Sequence, residues 1–94
     1  IGPKREVVMA RAEIAAGASA GRHSHPGVEV GYVLEGTSEV LIDGEPPKIV
    51  KAGESYIIPE GKIHDARPIG DKGATVLATY IVDKDKPLAT PAPK

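Results

Sequence analysis

All three histidines of the chain fall in two glycine-punctuated frames, Gly17-x5-His23-x-His25-x3-Glu29-x6-Gly36 and Gly53-x5-Pro59-x-Gly61-x2-His64. An imidazole can ligate a divalent cation through one ring nitrogen while the other is tied to a neighbour, and a carboxylate adds negative charge. His23, His25, Glu29 and His64 are therefore candidate ligands of one ion, and Glu29 is also a candidate catalytic proton carrier. An octahedral ion held by these four groups keeps positions free for water or substrate, which separates a catalytic centre from a closed structural one. His23 and His25 are two apart, so in an extended segment both rings leave the same face. Pro26-Gly27 lets the chain bend so that Glu29 is aimed back at the pair. His64 must come from a distant strand, entered through the corner Pro59-Glu60-Gly61, with small Ala66 on its face leaving room beside it.

Three nitrogens and one oxygen suit a transition metal better than magnesium or calcium, and the spacing does not choose among Fe, Mn, Ni, Co, Cu and Zn. The expectation is one divalent ion per chain. With Glu29 ionised, such a site carries a net charge of about +1 and favours a small anionic chelate such as an enolate, hydroxy-acid or diketonate. A redox-active ion would support dioxygenase-like oxidative cleavage. A redox-inert one would act as a Lewis acid in isomerisation or decarboxylation, with Glu29 moving a proton. From a different class stands a non-catalytic protein that binds a small molecule or a metal chelate, since few other polar residues can be assigned to the interior.

The elements that position these residues read as strands. Eleven Gly and nine Pro punctuate short β-branched runs, and no apolar stripe of helical period is long enough for a helix. Strands are predicted over residues 6–14, 28–34, 38–42, 48–51, 55–58, 63–67 and 74–82. Asp43-Gly44 marks a hairpin turn. Pro46 and Pro47 lack an N–H, so the returning arm lies at a sheet edge or the turn is longer than two residues. The chain is thus all-β, a small sandwich or barrel over residues 1–82, with a tail rich in Lys and Pro over residues 83–94 that lies over the body or moves freely. Tyr32 stands at odd spacing from Glu29 and should point away from the site, into core packing or a subunit contact. Tyr56 shares the parity of His64 only if residues 59–61 add no register shift, and is then a second-layer candidate. Alternation sends Asp65 and Arg67 away from His64, so these groups, with Arg22 and Lys62, read as a solvated face.

The two frames resemble the paired signature of the cupin superfamily, G-x5-H-x-H-x3,4-E-x6-G and G-x5-P-x-G-x2-H-x3-N. Nine defined positions agree, from Gly17 to His64, and the spacer of residues 37–52 is 16 long, near that family's minimum. The resemblance implies a small jelly-roll β-barrel of six to eight strands with His23, His25, Glu29 and His64 as metal ligands inside it, and dioxygenase chemistry as a frequent outcome. The overall look is similar to stand-alone bacterial single-cupin proteins. One position departs: where the second family motif ends in Asn, this chain has Pro68, so the hydrogen bonds closing that strand must be made differently.

Composition narrows the partners. With 12 Lys and Arg against 13 Asp and Glu, the net charge of −1 argues against nucleic acid and anionic membrane. No apolar run approaches the roughly 18 residues of a spanning helix, so a soluble domain is expected. At 94 residues, without Phe, Trp or Cys, the core must be aliphatic and its stability modest without a metal or partner. A homodimer is the expected assembly, formed through a sheet face or by exchange of the 6–14 strand. Localisation stays open between cytoplasmic and, with a leader removed upstream of Ile1, periplasmic.

Overall fold

Alternation along the strands decides which side chains meet. In the computed structural model, which describes residues 2–92, strand β3 (Gly27–Glu35) buries Gly27, Glu29, Gly31 and Val33 while Val30, Tyr32 and Leu34 face outward. Strand β4 (Thr37–Ile42) likewise buries Ser38, Val40 and Ile42. Two antiparallel sheets result. Strands β1 (Arg5–Ile14), β8 (Ala74–Asp83), β3 and β6 (Ser55–Ile58) form one in the order β1-β8-β3-β6. The other has the order β5-β4-β7-β2-β9, using β5 (Lys48–Lys51), β7 (His64–Pro68), β2 (His23–Ser24) and β9 (Thr90–Pro91). This is the all-β jelly-roll arrangement expected of the sequence, with two antiparallel sheets around one interior.

The core is aliphatic with one aromatic exception: Val33, Val40, Ile42, Val50, Ile58 and Val76 pack around Tyr56. Tyr32 is 45% exposed and so plays no part in core packing, correcting one of its two expected roles. The Asp43-Gly44 turn forms with Gly44 at φ 84° and a 3.0 Å bond from Glu45 N–H to Ile42 C=O. The β4–β5 ladder ends at Val40 opposite Lys48, so Pro46 and Pro47 are held outside it and β5 lies at the sheet edge.

Seven predicted strands became nine among the described residues. The additions, β2 and β9, are two residues each, too short for any periodicity to show. They pair with one another, His23 opposite Pro91 and Ser24 opposite Thr90. Through them the chain end is tied across the barrel mouth, with Ala92 N–H donating to Arg22 C=O at 2.9 Å. The last two residues of the 83–94 tail and the first of the 1–82 segment lie outside the described residues. At the family Asn position, Pro68 sits opposite Ser38, and Ile69 N–H to Thr37 C=O at 2.9 Å closes the strand end. Ser38 Oγ is buried there with no hydrogen-bond partner.

Candidate metal centre

Register, rather than proximity in sequence, assembles the centre. His23 on β2 lies directly opposite His64 on β7, and His64 is also opposite Ile42 on β4. Glu29 enters from the other sheet, on β3, flanked by Ile58 of β6 and Tyr80 of β8. His25 sits in the bend before β3. The four ligand-type atoms lie within 4.8 Å of one another, an arrangement that could hold a metal ion. His25, Glu29 and His64 are buried and His23 is partly so.

Each ring is oriented from behind by a backbone carbonyl. His25 Nδ1 bonds Leu88 O at 2.7 Å, His64 Nδ1 bonds Lys62 O at 3.0 Å, and His23 Nδ1 bonds Gly21 O. Since a carbonyl only accepts, these bonds put the proton of each neutral imidazole on Nδ1 and leave Nε2 as a lone pair. The lone pairs converge: His23 Nε2 is 3.1 Å from His25 Nε2, and Glu29 Oε1 is 3.0 Å from His25 Nε2 and 3.1 Å from His64 Nε2. Four acceptors facing one another repel unless a cation, or a proton, stands between them. The donor set therefore fits a divalent transition-metal ion on its own chemistry.

Electrostatics agree. Burial opposes ionisation of Glu29, but the His25 and His64 nitrogens facing Oε1, which donate to it when a proton stands between them, and the Tyr56 hydroxyl outweigh burial and bring its pKa down to about 2. Burial likewise opposes a charge on His64, yet the Glu29 carboxylate and the Lys62 carbonyl prevail and raise that ring. His23 is lowered, chiefly by its burial. Proton and cation thus compete for the same His64 nitrogen.

Around the ligands lies a small cavity of about 70 Å³ lined by His23, Glu29, Tyr56, His64 and Tyr80 and otherwise by apolar side chains including Ala66. A wider groove of about 420 Å³ opens outside it, between residues 20–22 and 88–91.

Tyr56 does share the interior with His64, and its hydroxyl donates to Glu29 Oε2 at 2.7 Å. Arg67 pairs with Glu39 and Arg22 with Asp43, both at 2.6 Å, and Lys62 is exposed, although Arg22 also borders the outer groove. Asp65 lies outside the cluster: its Oδ1 accepts from Gly21 N–H at 2.9 Å and so steadies the loop whose carbonyl holds His23. Three contributors escaped the sequence reading. Tyr80 could have been found from alternation, because it shares parity with Ala74, Val76 and Ala78, whereas Thr75, Leu77 and Thr79 take the other face. Gly31 has no signal of its own; a Cβ there would overlap the Tyr56 ring and hydroxyl, so only glycine leaves that ring its place beside Glu29. The carbonyl of Leu88, 63 residues from His25, carries none at all.

Residues 10–80 match the family profile described as a cupin domain, and the chain belongs to that family. It is 35% identical over 82 residues to Germin-like protein 3-5 of Oryza sativa subsp. japonica, covering 79% of this chain and 36% of the rice protein. It thus spans little more than a third of that relative's length. A shorter match, 36% over 45 residues, covers 48% of this chain and 22% of the dimethylsulfoniopropionate lyase DddQ of Ruegeria pomeroyi. The crystal structure of that lyase superposes with a TM-score of 0.83 at 24% identity, over 92% of this chain and 43% of the lyase chain. An oxalate oxidase in complex with the substrate analogue glycolate superposes with a TM-score of 0.78 at 26% identity, over 93% of this chain and 52% of the oxidase.

Proposed function

We propose that His23, His25, Glu29 and His64 bind one divalent transition-metal ion and that the centre acts as a metal-dependent enzyme on a small anionic chelating substrate. The observation that carries this reading is the convergence of three imidazole lone pairs and Glu29 Oε1, with every Nδ1 proton engaged by a backbone carbonyl. The ion would supply Lewis acidity or, if redox-active, a route for oxidative cleavage. The chain's own residues supply the rest. The carbonyls of Gly21, Lys62 and Leu88 hold the rings in one tautomer. Tyr56 holds Glu29 Oε2 and leaves Oε1 toward the histidines. Apolar side chains line the inner cavity, and Glu29 would carry a proton to or from a carbon next to a carbonyl.

Size narrows the substrate. The inner cavity, about 70 Å³, is well below the roughly 300–1,000 Å³ of pockets that hold drug-sized ligands. That favours a hydroxy-acid or oxo-acid of about two or three carbons over a fused-ring flavonol. A structurally similar oxidase holds glycolate, a two-carbon hydroxy-acid anion. Isomerisation, decarboxylation and oxidative cleavage remain the reaction classes.

The test has two stages. Elemental analysis of protein purified without added metal should find about one transition-metal ion per chain. His23→Ala and His64→Ala should lower metal content and Tm together, because an ion that binds only the folded state stabilises it. Unchanged stoichiometry in both variants sinks the ligand assignment. Assays of the loaded protein over short hydroxy- and oxo-acids, following dioxygen and carbon dioxide, then separate the enzyme from a binder; tight binding without turnover supports the non-catalytic reading.

We further propose a homodimer formed through the outer face of the β1-β8-β3-β6 sheet, where Val7 and Met9 of β1, Val30 and Tyr32 of β3 and Ile57 of β6 are exposed. Strand β1 pairs with β8 of its own chain along all ten residues, which favours a face contact over strand exchange. Light scattering at micromolar concentration should give twice the chain mass, and a monomer refutes it.

A further inference from the structure

Tyr80 stands on the inner face of β8, directly opposite Glu29, with its ring packed on that of His25 at 4.6 Å between centroids. It borders both the inner cavity and the outer groove; Ala20, His23 and Tyr80 are the residues common to the two linings. The groove itself is lined by His23 and His25, so Tyr80 stands beside the ligands on both sides.

The other polar groups in the cavity are already engaged. His23 and His64 are tied through Nδ1 to carbonyls, Glu29 faces His25 and His64, and the Tyr56 hydroxyl is spent on Glu29. Among the described residues the Tyr80 hydroxyl makes no hydrogen bond. The remaining wall, including Ala12, Ile14, Val40, Ala66 and Val76, is apolar. The half-buried phenol of Tyr80 lines the cavity beside the Glu29 carboxylate, and its hydroxyl is free to donate to a ligand there. A phenol, with an ordinary pKa of about 10, is a neutral donor at physiological pH.

We propose that Tyr80 Oη donates a hydrogen bond to an oxygen of the small carboxylate held at the His23/His25/Glu29/His64 centre, and is thereby the residue that sets specificity for a chelating acid. This rests on the metal-chelate reading above. A chelating acid offers more oxygens than an ion would occupy, and among the described residues lining the inner cavity Tyr80 Oη is the side-chain donor left to meet the outward one. No chemical step is assigned to Tyr80.

The test uses the Co(II)-loaded protein and follows its visible spectrum during titration with glycolate and, separately, with azide. Azide can take a coordination position but has no oxygen to present to the phenol. In Tyr80→Phe, glycolate binding should weaken about ten-fold or more, the usual loss for a hydrogen bond to a charged acceptor. Affinities for Co(II) and azide should stay within about two-fold, since the ring still packs on His25. Equal glycolate affinity in wild type and variant overturns the proposal. A parallel loss of Co(II), azide and glycolate overturns it as well, because it marks a packing role. Wild-type protein that binds Co(II) but no glycolate refutes the chelate reading itself, a result distinct from either.

Discussion

The Tyr56 hydroxyl donates a 2.7 Å hydrogen bond to Glu29 Oε2, and the other oxygen, Oε1, is the one that faces His25 and His64. The bond selects which carboxylate oxygen is presented to the histidines. Tyr56 stands across the β3–β6 ladder opposite Gly31, two residues beyond Glu29 on the same face.

Tyr56→Phe should therefore leave the barrel folded and weaken metal binding. Loss of a group that orients a ligand typically costs about 10- to 100-fold in affinity. Competition with a chromogenic chelator checks it, and wild-type affinity in the variant would remove Tyr56 from the site.

Gly31→Ala should produce the same loss indirectly. The added Cβ meets the Tyr56 ring and hydroxyl, so the ring must shift and its bond to Glu29 breaks. Overpacking in a core costs about 1–3 kcal/mol, so Tm should fall as well. Combining Gly31→Ala with Tyr56→Phe should cost less metal affinity than the sum of the single changes, because both act through one hydrogen bond. A double-mutant cycle that is additive would contradict this.

Removing residues 84–94 should weaken metal binding about ten-fold without unfolding the barrel. The deleted segment carries the Leu88 carbonyl that holds His25 Nδ1, and β9, which pairs with His23. All of β8 and its ladder with β1 remain. Metal titration and a thermal melt of the truncated chain measure the two effects separately.

The pH profile should differ between metal-free and metal-loaded protein. Without metal, Glu29 has its pKa depressed from 4.5 to about 2, so its contribution is present above pH 4.5 and is lost as pH falls toward 2. His64 is raised above 6.5, so its contribution is complete below 6.5 and is lost as pH rises through the raised value. Metal-free protein should accordingly melt highest between these limits. Metal must displace the His64 proton, so the Tm difference between loaded and metal-free protein should widen from about pH 5 to 8. Calorimetry across that range tests it, and a constant difference would show that proton and metal do not compete.

Much of the centre was legible along the chain. His-x-His, the Pro26-Gly27 bend and the parity of His64 with Ala66 are local properties, and the strands they imply formed within a residue or so of the expected bounds. The Asp43-Gly44 turn was legible for the same reason. The condition placed on Tyr56, that residues 59–61 add no register shift, could be met only by the pairing of β6 with β3 and of β7 with β4 and β2. The short strands β2 and β9 had no pattern to display, because two residues cannot alternate.

The sequence by itself determined the alternation, the turns and the set of residue types able to hold a metal, since these depend on near neighbours and backbone geometry. Only the tertiary structure decided that Tyr56 would hold Glu29, that Gly31 would clear space for it, that Tyr80 would line the cavity against His25 and that Leu88 would orient His25. Those relations depend on the register between strands far apart in the chain, and register is a property of the whole packed barrel.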